Sequence, residues 1–255
     1  MGMNVAAMIS GEPRFTKDFD VFLENLMGYN SLDWYFMLWK QNTGEHWAYK
    51  SRMIADCWRE IDHENTLSKI SQNLPGSNTV AGLEILDQDG YKLDREIKNK
   101  ARETVAENCW LMYQGIKLVN NLRNRTAKPY DLVVRTRPDL SLSNKLDLNE
   151  IKQIVDSTPN TIVMPNNYWF GYGPFANDIM AIGKPEVMDV YCDVINTIPR
   201  LQEQNHLFHP ETMLGKHLEL ANINVVRCPL FEVELRHYGT RDTEGNYVPD
   251  FGRWA

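Results

Sequence analysis

YDLVVRTRPDL, residues 130–140, is the stretch from which the fold can be worked out, because a buried strand ends within it. Its apolar first half is rich in valine, which is typical of a strand buried on both faces. Arg135, Arg137 and Asp139 follow at the carboxyl end, and Pro138 prevents further ladder pairing. Ligands of open α/β sheets bind outside the carboxyl ends of the strands. The charged residues therefore indicate a site for a diphosphate with a divalent metal, and a simple Arg–Asp ion pair is the alternative.

Apolar segments of two kinds alternate along the rest of the chain. Continuous apolar runs predict strands over residues 4–10, 32–39, 79–86 and 177–183. Apolar residues at helical spacing predict helices over residues 15–26 and 94–124, and after Pro185 and Pro210. This alternation predicts an α/β fold with a mainly parallel sheet and helices on both faces. Without repeats, low-complexity segments or linkers, we expect a single domain over residues 1–255.

Composition and charge limit the function classes. The chain is 43% hydrophobic and 24% charged, which is typical of a soluble globular protein. Its formal net charge of -7 argues against nucleic acid as a partner, because nucleic-acid binding needs a basic surface. No apolar run approaches the length of a membrane span, and no signal peptide is recognisable. The 4 cysteines form no CxxC motif, so we expect reduced thiols and a cytoplasmic location.

The first strand is followed by a second candidate anion site. Ser10, Gly11 and Arg14 come between the strand and the next helix. Backbone N–H groups and the helix dipole favour an anion at such a position. Glycine is too sparse there for a P-loop or a dinucleotide-binding fingerprint. The alternative is a simple turn with an arginine on the surface.

Four short segments, ISGEPRF (9–15), YDLVVRTRPDL (130–140), NDIMAIG (177–183) and PETML (210–214), together resemble a known family. The family consists of small GT-A-like glycosyltransferases of marine viruses (cyanophage type), cyanobacteria and algae. The resemblance implies a GT-A-like, Rossmann-like fold and a nucleotide-diphosphate sugar as donor. It implies an acceptor that offers a hydroxyl group, on a carbohydrate or another molecule. For a viral protein the location would be the host cytoplasm.

The resemblance also implies a divalent metal, Mn²⁺ or Mg²⁺, that binds the donor diphosphate. Most members hold it with an Asp-x-Asp at the end of a strand, where this chain has Arg137-Pro138-Asp139. Because only the second carboxylate is present, Arg137 could itself neutralise phosphate charge. Many members add a late histidine to the metal, and His237 is the candidate. The metal ligands expected from the resemblance are therefore Asp139 and His237.

The remaining expected roles divide between donor and acceptor. The residues expected to bind the donor are Ser10, Gly11, Arg14, Arg135 and Arg137. The residues expected to act in catalysis are Asp178, Glu211 and Arg137. Glu211 or Asp178 would orient or deprotonate the acceptor hydroxyl, and Arg137 would stabilise the leaving diphosphate. An acidic residue in the first turn of a helix can also simply complement the helix dipole, which is the alternative for Glu211.

Two other functions are compatible with these residues. The missing first aspartate suggests a non-catalytic carbohydrate- or nucleotide-binding protein on the same scaffold. Arg–Asp pairs at strand ends also suit phosphoryl transfer, so a sugar phosphotransferase is a further alternative.

Overall fold

A computed structural model describes residues 3–12, 19–27, 31–40, 63–74, 78–101, 106–142, 144–166, 176–235, 239–241 and 247–249. The described strands are β1 Val5–Gly11, β2 Leu32–Trp39, β3 Thr79–Leu86, β4 Leu132–Thr136, β5 Leu140–Leu142, β6 Thr161–Pro165, β7 Ala181–Gly183, β8 Asn224–Cys228, β9 Val233–Leu235, β10 Gly239–Arg241 and β11 Tyr247–Pro249. The described helices are α1 Phe19–Met27, α2 His63–Asn73, α3 Ala106–Asn124, α4 Leu148–Ser157, α5 Pro185–Cys192, α6 Val194–Glu203 and α7 Pro210–Leu220.

The main sheet has seven strands in the order β3-β2-β1-β4-β7-β6-β8. Strand β7 runs antiparallel to both of its neighbours, and the other pairs are parallel. One hydrophobic cluster joins the sheet to α3, α5, α6 and α7, and a second joins its other face to α1, α2 and α4. The predicted α/β domain, with a mostly parallel sheet between helices, is therefore confirmed.

The direction of chain progression changes beside β1. From β1 the chain moves outward to β2 and then β3, and it later returns to place β4 on the opposite side of β1. At such a switch point the loops that follow the two neighbouring strands lead away from each other and leave a crevice. Ligands of open α/β sheets bind in this crevice. We call the region outside the carboxyl ends of these two strands the β1–β4 edge.

The strand predicted over residues 177–183 is shorter in the structure, because β7 begins only at Ala181. The side-chain oxygen of Asn177 accepts hydrogen bonds from the backbone N–H groups two and three residues further on, at 2.8 and 3.3 Å. The carbonyl groups of the two residues after Asn177 accept from Arg135. Side chains thus bind backbone groups that a sheet ladder would otherwise pair.

The helix predicted from residue 94 also begins later than expected, since α3 begins at Ala106. Residues 92–99 are irregular. Phe208 explains part of the difference, because its N–H donates to the carbonyl of Asn99 at 2.7 Å and its carbonyl accepts from Ala101 at 3.2 Å. Pairing with a distant segment replaces the helical hydrogen bonds there. None of the helices in the described ranges is both long and apolar enough to cross a membrane.

A buried arginine joins α3 to α5 and gives a stability prediction. Arg123 is 4% exposed and donates to Asp189 at 2.6 Å, and the amides of Asn120 and Asn124 donate to the same oxygen. We expect Asp189→Ala to lower the free energy of unfolding by about 2 kcal/mol, because the guanidinium loses its charged acceptor. Chemical denaturation measures the change.

The control is Asp156→Ala on α4, whose carboxylate pairs with the surface residues Lys152 and Lys184 at 2.6 and 2.8 Å. Such exposed pairs contribute little, so we expect a change within about 0.5 kcal/mol. Equal losses in the two variants would contradict the importance of the buried contact.

His217 on α7 gives a prediction about pH. Its Nε2 lies 2.7 Å from the carbonyl of Val190, so this nitrogen carries the proton, and Nδ1 accepts from the hydroxyl of Thr197 at 2.8 Å. Burial lowers the pKa of His217 below the usual value of a histidine. The unfolded chain therefore takes up a proton at a higher pH than the folded protein does. We expect stability to fall as the pH drops below about 6.5.

Denaturation of the protein and of His217→Gln at about pH 7.5 and about pH 5.5 tests this prediction. The natural protein should lose more stability on acidification than the variant does. The same loss in both proteins would show that another group is responsible.

Candidate functional site

The loops after β1 and β4 lie against each other at the β1–β4 edge. Gly11 ends β1 with a φ of 140°, a backbone conformation that side chains other than hydrogen rarely permit. A Cβ atom built on Gly11 would lie 3.5 Å from Cδ of Pro138, which follows β4. The glycine predicted to bind the donor thus lies next to the Arg-Pro-Asp segment, as expected from their positions at the ends of neighbouring strands.

Arg137 and Asp139 form a bidentate ion pair at this edge. Nε and Nη2 of Arg137 donate to Oδ1 and Oδ2 of Asp139, both at 2.9 Å. The side chain of Asp139 is 3% exposed, whereas that of Arg137 is 22% exposed. The ion pair that the sequence left as the alternative is therefore present. Its geometry is also the one in which a guanidinium binds a phosphate.

Arg135 lies deeper in the protein, with no solvent-exposed surface. Its Nη1 donates to the backbone carbonyl of Asp178, and the carbonyl of Ile179 and the hydroxyl of Tyr191 lie at 3.3 and 3.5 Å. The side chain thus lies under the segment that precedes β7. A direct contact with the donor, which the sequence predicted for Arg135, would require access to this buried position.

The reversed direction of β7 brings Asp178 to the same edge. Arg135 on β4 pairs with Ala181 on β7, so the residues just before β7 lie beside the carboxyl end of β4. Helix α7 begins at this place too, because the N–H of Ala176 donates to the carbonyl of Glu211 at 3.0 Å. The predicted catalytic residues Asp178 and Glu211 therefore lie on two adjacent segments.

Electrostatics link these carboxyl groups to the two arginines. Burial, and secondly the charge of Glu211, raise the pKa of Asp178 to about 6, while Arg137 and Arg135 act in the opposite direction. Asp178 is 6% exposed. A carboxyl group whose pKa lies this close to neutrality can act as a general base, since it is ionised at neutral pH and binds a proton readily.

Three further residues adjoin the carboxyl groups and were not selected from the sequence. His209 lies before α7, and its Nδ1 is 2.9 Å from Oε2 of Glu211. Tyr113 on α3 donates its hydroxyl hydrogen bond to the carbonyl of Pro210. Burial, followed by the charges of Asp178 and Glu211, raises the pKa of Cys109 well above its usual value. The sequence contained one signal, a histidine two positions before Glu211, but no local pattern pointed to the residues of α3.

Ser10 has a different environment from the one expected for a donor-binding residue. It is 2% exposed, and a Cβ built on Gly115 of α3 would lie 3.7 Å from the Cβ of Ser10. Its hydroxyl has no hydrogen-bond partner in the described part of the chain. Ser10 therefore lies between the sheet and α3. Arg14, the third residue predicted near the nucleotide, is outside the described residues.

The described residues alone do not fit a divalent cation. Both oxygens of Asp139 accept from Arg137, so a divalent cation there would share the carboxylate with a guanidinium of like charge. Within the described ranges, no group of three or more histidine, cysteine, aspartate or glutamate side chains is arranged to hold a metal. His237, the second expected ligand, is outside those ranges, so the site of Asp139 with His237 stays a prediction.

Comparison with known proteins adds no assignment: no protein-family model matches the chain, and no curated protein matches it. The function therefore has to be inferred from the chemistry of the β1–β4 edge.

Proposed function

We propose that this protein is a glycosyltransferase that moves a sugar from a nucleotide-diphosphate sugar to an acceptor hydroxyl. One observation carries the proposal. Gly11, the Arg137–Asp139 pair, the buried carboxyl group of Asp178 and the partly buried one of Glu211 come together at the switch point of an open α/β sheet. The GT-A-like form of this fold, suggested by the family resemblance, is part of the proposal.

The donor side of the site uses Gly11 and Arg137. A glycine lets the backbone approach a ligand closely, because no Cβ atom intervenes. The partly exposed guanidinium of Arg137 would donate hydrogen bonds to the diphosphate while Asp139 holds it in place. As the bond to the sugar breaks, negative charge develops on the diphosphate, and a fixed cation stabilises it.

The acceptor side uses the carboxyl groups. Asp178 or Glu211 takes the proton of the acceptor hydroxyl while the oxygen forms a bond to the anomeric carbon of the sugar. The electron pair of the broken carbon–oxygen bond leaves with the nucleotide diphosphate. Asp178 suits the base role, because its raised pKa of about 6 keeps it ionised at neutral pH while making it a stronger base than an ordinary aspartate.

Incubation with a panel of nucleotide sugars tests the proposal. Each donor is supplied with Mn²⁺, with Mg²⁺ or with a chelator, and both hydrolysis and transfer to simple sugar acceptors are measured. We expect turnover with at least one donor and a rise in melting temperature with the matching nucleotide diphosphate. Absence of both turnover and thermal shift for all donors would refute the proposal.

A non-catalytic binding protein is the second candidate, and the ion pair of Arg137 with Asp139 favours it. The pair occupies both oxygens of the one carboxylate that remains of the Asp-x-Asp pattern. Nucleotide or sugar binding without turnover under any metal condition would support this alternative over the enzyme.

A further inference from the structure

The guanidinium of Arg135 is buried but only partly bonded. Nη1 makes all of its hydrogen bonds, to the carbonyls of Asp178 and Ile179 and to the hydroxyl of Tyr191. Nε and Nη2 are buried and have no hydrogen-bond partner in the described chain. A buried cation with unused donors is costly unless a negative charge lies nearby. The charge of Arg135 therefore has to be offset by a neighbouring carboxylate.

Asp178 supplies that charge. The guanidinium binds the backbone carbonyl of Asp178, and its charge stabilises the ionised form of the Asp178 side chain. Asn177 closes the turn that follows, and Ala176 is hydrogen-bonded to α7. The side chain of Arg135 thus links strand β4, by a hydrogen bond, to the segment that contains Asp178, the expected base.

We propose that Arg135 is a positioning residue for Asp178, which holds the Asp178 peptide in place and offsets its charge, and that it does not touch the donor. The inference rests on the proposed function, because it assigns Asp178 a role in transfer. Complete burial supports it, since a phosphate ligand would need an exposed guanidinium, and Arg137 is the partly exposed arginine.

Groups from several elements face Asp178 and influence its ionisation. Glu211 from α7 disfavours the ionised form, and Arg137 and Arg135 favour it. Cys109 and Tyr113 from α3 and Tyr191 from α5 are neutral neighbours whose pKa values burial raises, and whose ionisation Asp178 further opposes. His209 is paired with Glu211. Among the residues that the structure describes, Arg137 and Arg135 are the cations whose charges lower the pKa of Asp178, and Arg135 also binds its backbone.

A pair of substitutions separates the charge of Arg135 from its hydrogen bonds. Arg135→Gln keeps a donor for the carbonyls but removes the charge, whereas Arg135→Lys keeps the charge on a smaller group. Carbon NMR of protein labelled at the aspartate carboxyl groups follows the titration of Asp178, with Asp178→Asn identifying its signal. We expect Arg135→Gln to raise the titration midpoint by about one pH unit or more, and Arg135→Lys to change it by less than about half a unit.

In transfer assays at neutral pH, we expect Arg135→Gln to lower kcat while KM for the donor stays unchanged. The acid limb of the pH–rate profile should move to higher pH. Equal titration midpoints in the Gln and Lys variants would overturn the inference. If Arg135→Gln fails to fold, it is combined with Asp178→Asn. Recovery of folding in the double variant supports the pairing, and failure to recover overturns it.

The NMR titration and the folding test need no donor, so they separate this inference from the proposed function. Shifted midpoints in a protein that transfers no sugar would refute the glycosyltransferase and leave the pairing of Arg135 with Asp178 intact. Transfer with unshifted midpoints would refute the role of Arg135 and leave the enzyme intact.

Discussion

Asp178→Asn is expected to lower the rate of sugar transfer by about two to four orders of magnitude, the usual contribution of a general base. The carboxamide has a similar shape but cannot take a proton from the acceptor hydroxyl. Nucleotide binding should persist, because Arg137 and Gly11 remain. Because Asp178 offsets the buried charge of Arg135, we expect the variant to be less stable, and its kinetics are therefore measured well below its melting temperature. Steady-state kinetics and calorimetric titration with the nucleotide measure the two effects.

The pH profile provides a second measurement of the same role. Because the pKa of Asp178 is raised to about 6, the base is lost to protonation as the pH falls through that value. We expect the transfer rate to decline on the acid side of about pH 6, and this limb should disappear from the residual activity of Asp178→Asn. Asp156→Asn, a change of the same kind on the surface of α4, is the control and should leave both rate and profile unchanged.

Glu211 is the other candidate for the general base, and a matched pair of substitutions on α7, Glu211→Gln and Glu219→Gln, tests its role. Glu211 is in the first turn and contacts His209, while Glu219 is near the end of the helix and pairs with Lys216 at 2.9 Å on the surface. Glu219→Gln should have no effect. If Glu211→Gln removes transfer and Asp178→Asn preserves it, then the base is Glu211 and our assignment is wrong.

The second large effect concerns the donor. We expect Arg137→Lys to weaken nucleotide diphosphate binding by about 1–3 kcal/mol, or about 5- to 150-fold, because an ammonium group cannot form the bidentate contact. The same change removes the fork that binds Asp139, so the melting temperature of the ligand-free protein should fall too. KM for the acceptor should stay unchanged.

Calorimetry with and without nucleotide separates these two consequences. If Arg137 is purely structural, Arg137→Lys should lower the melting temperature of the ligand-free protein and leave nucleotide affinity equal to that of the natural protein. This outcome would contradict a role of Arg137 in donor binding. Arg125→Lys is the control, because Arg125 is 60% exposed in a surface pair with Glu84. It should change neither the melting temperature nor the affinity appreciably.

Local sequence patterns predicted the central strands well. The runs over residues 32–39 and 79–86 became β2 and β3 with those bounds, and the run over residues 4–10 became β1 displaced by one residue. Continuous apolar runs between polar breaks are sufficient for strands that are covered on both faces. The prediction was wrong for residues 94–101 and for the start of β7, where hydrogen bonds to Phe208 and Arg135 decide the local structure.

Within the candidate site, the positions of the predicted residues differ in the same way. Gly11, Arg137 and Asp139 lie at or just beyond the ends of β1 and β4, as the sequence predicted from the apolar runs that precede them. Ser10 and Arg135 were placed at the same ends, but their side chains face the interior. Side-chain direction alternates along a strand, and which face is covered by helices depends on packing that a single strand does not encode.

The sequence by itself determined that a buried strand is followed by Arg137-Pro138-Asp139, that a glycine follows the first strand, and that acidic residues lie near the start of a late strand and of a late helix. The tertiary structure decided which of these meet. Strand β4 pairs with β1, and β7 runs in the opposite direction beside β4, so Asp178 comes to lie beside Arg135 and Arg137. The physical reason is that apolar periodicity specifies each element separately. Strand order and direction arise only when the elements pack together and bury their faces.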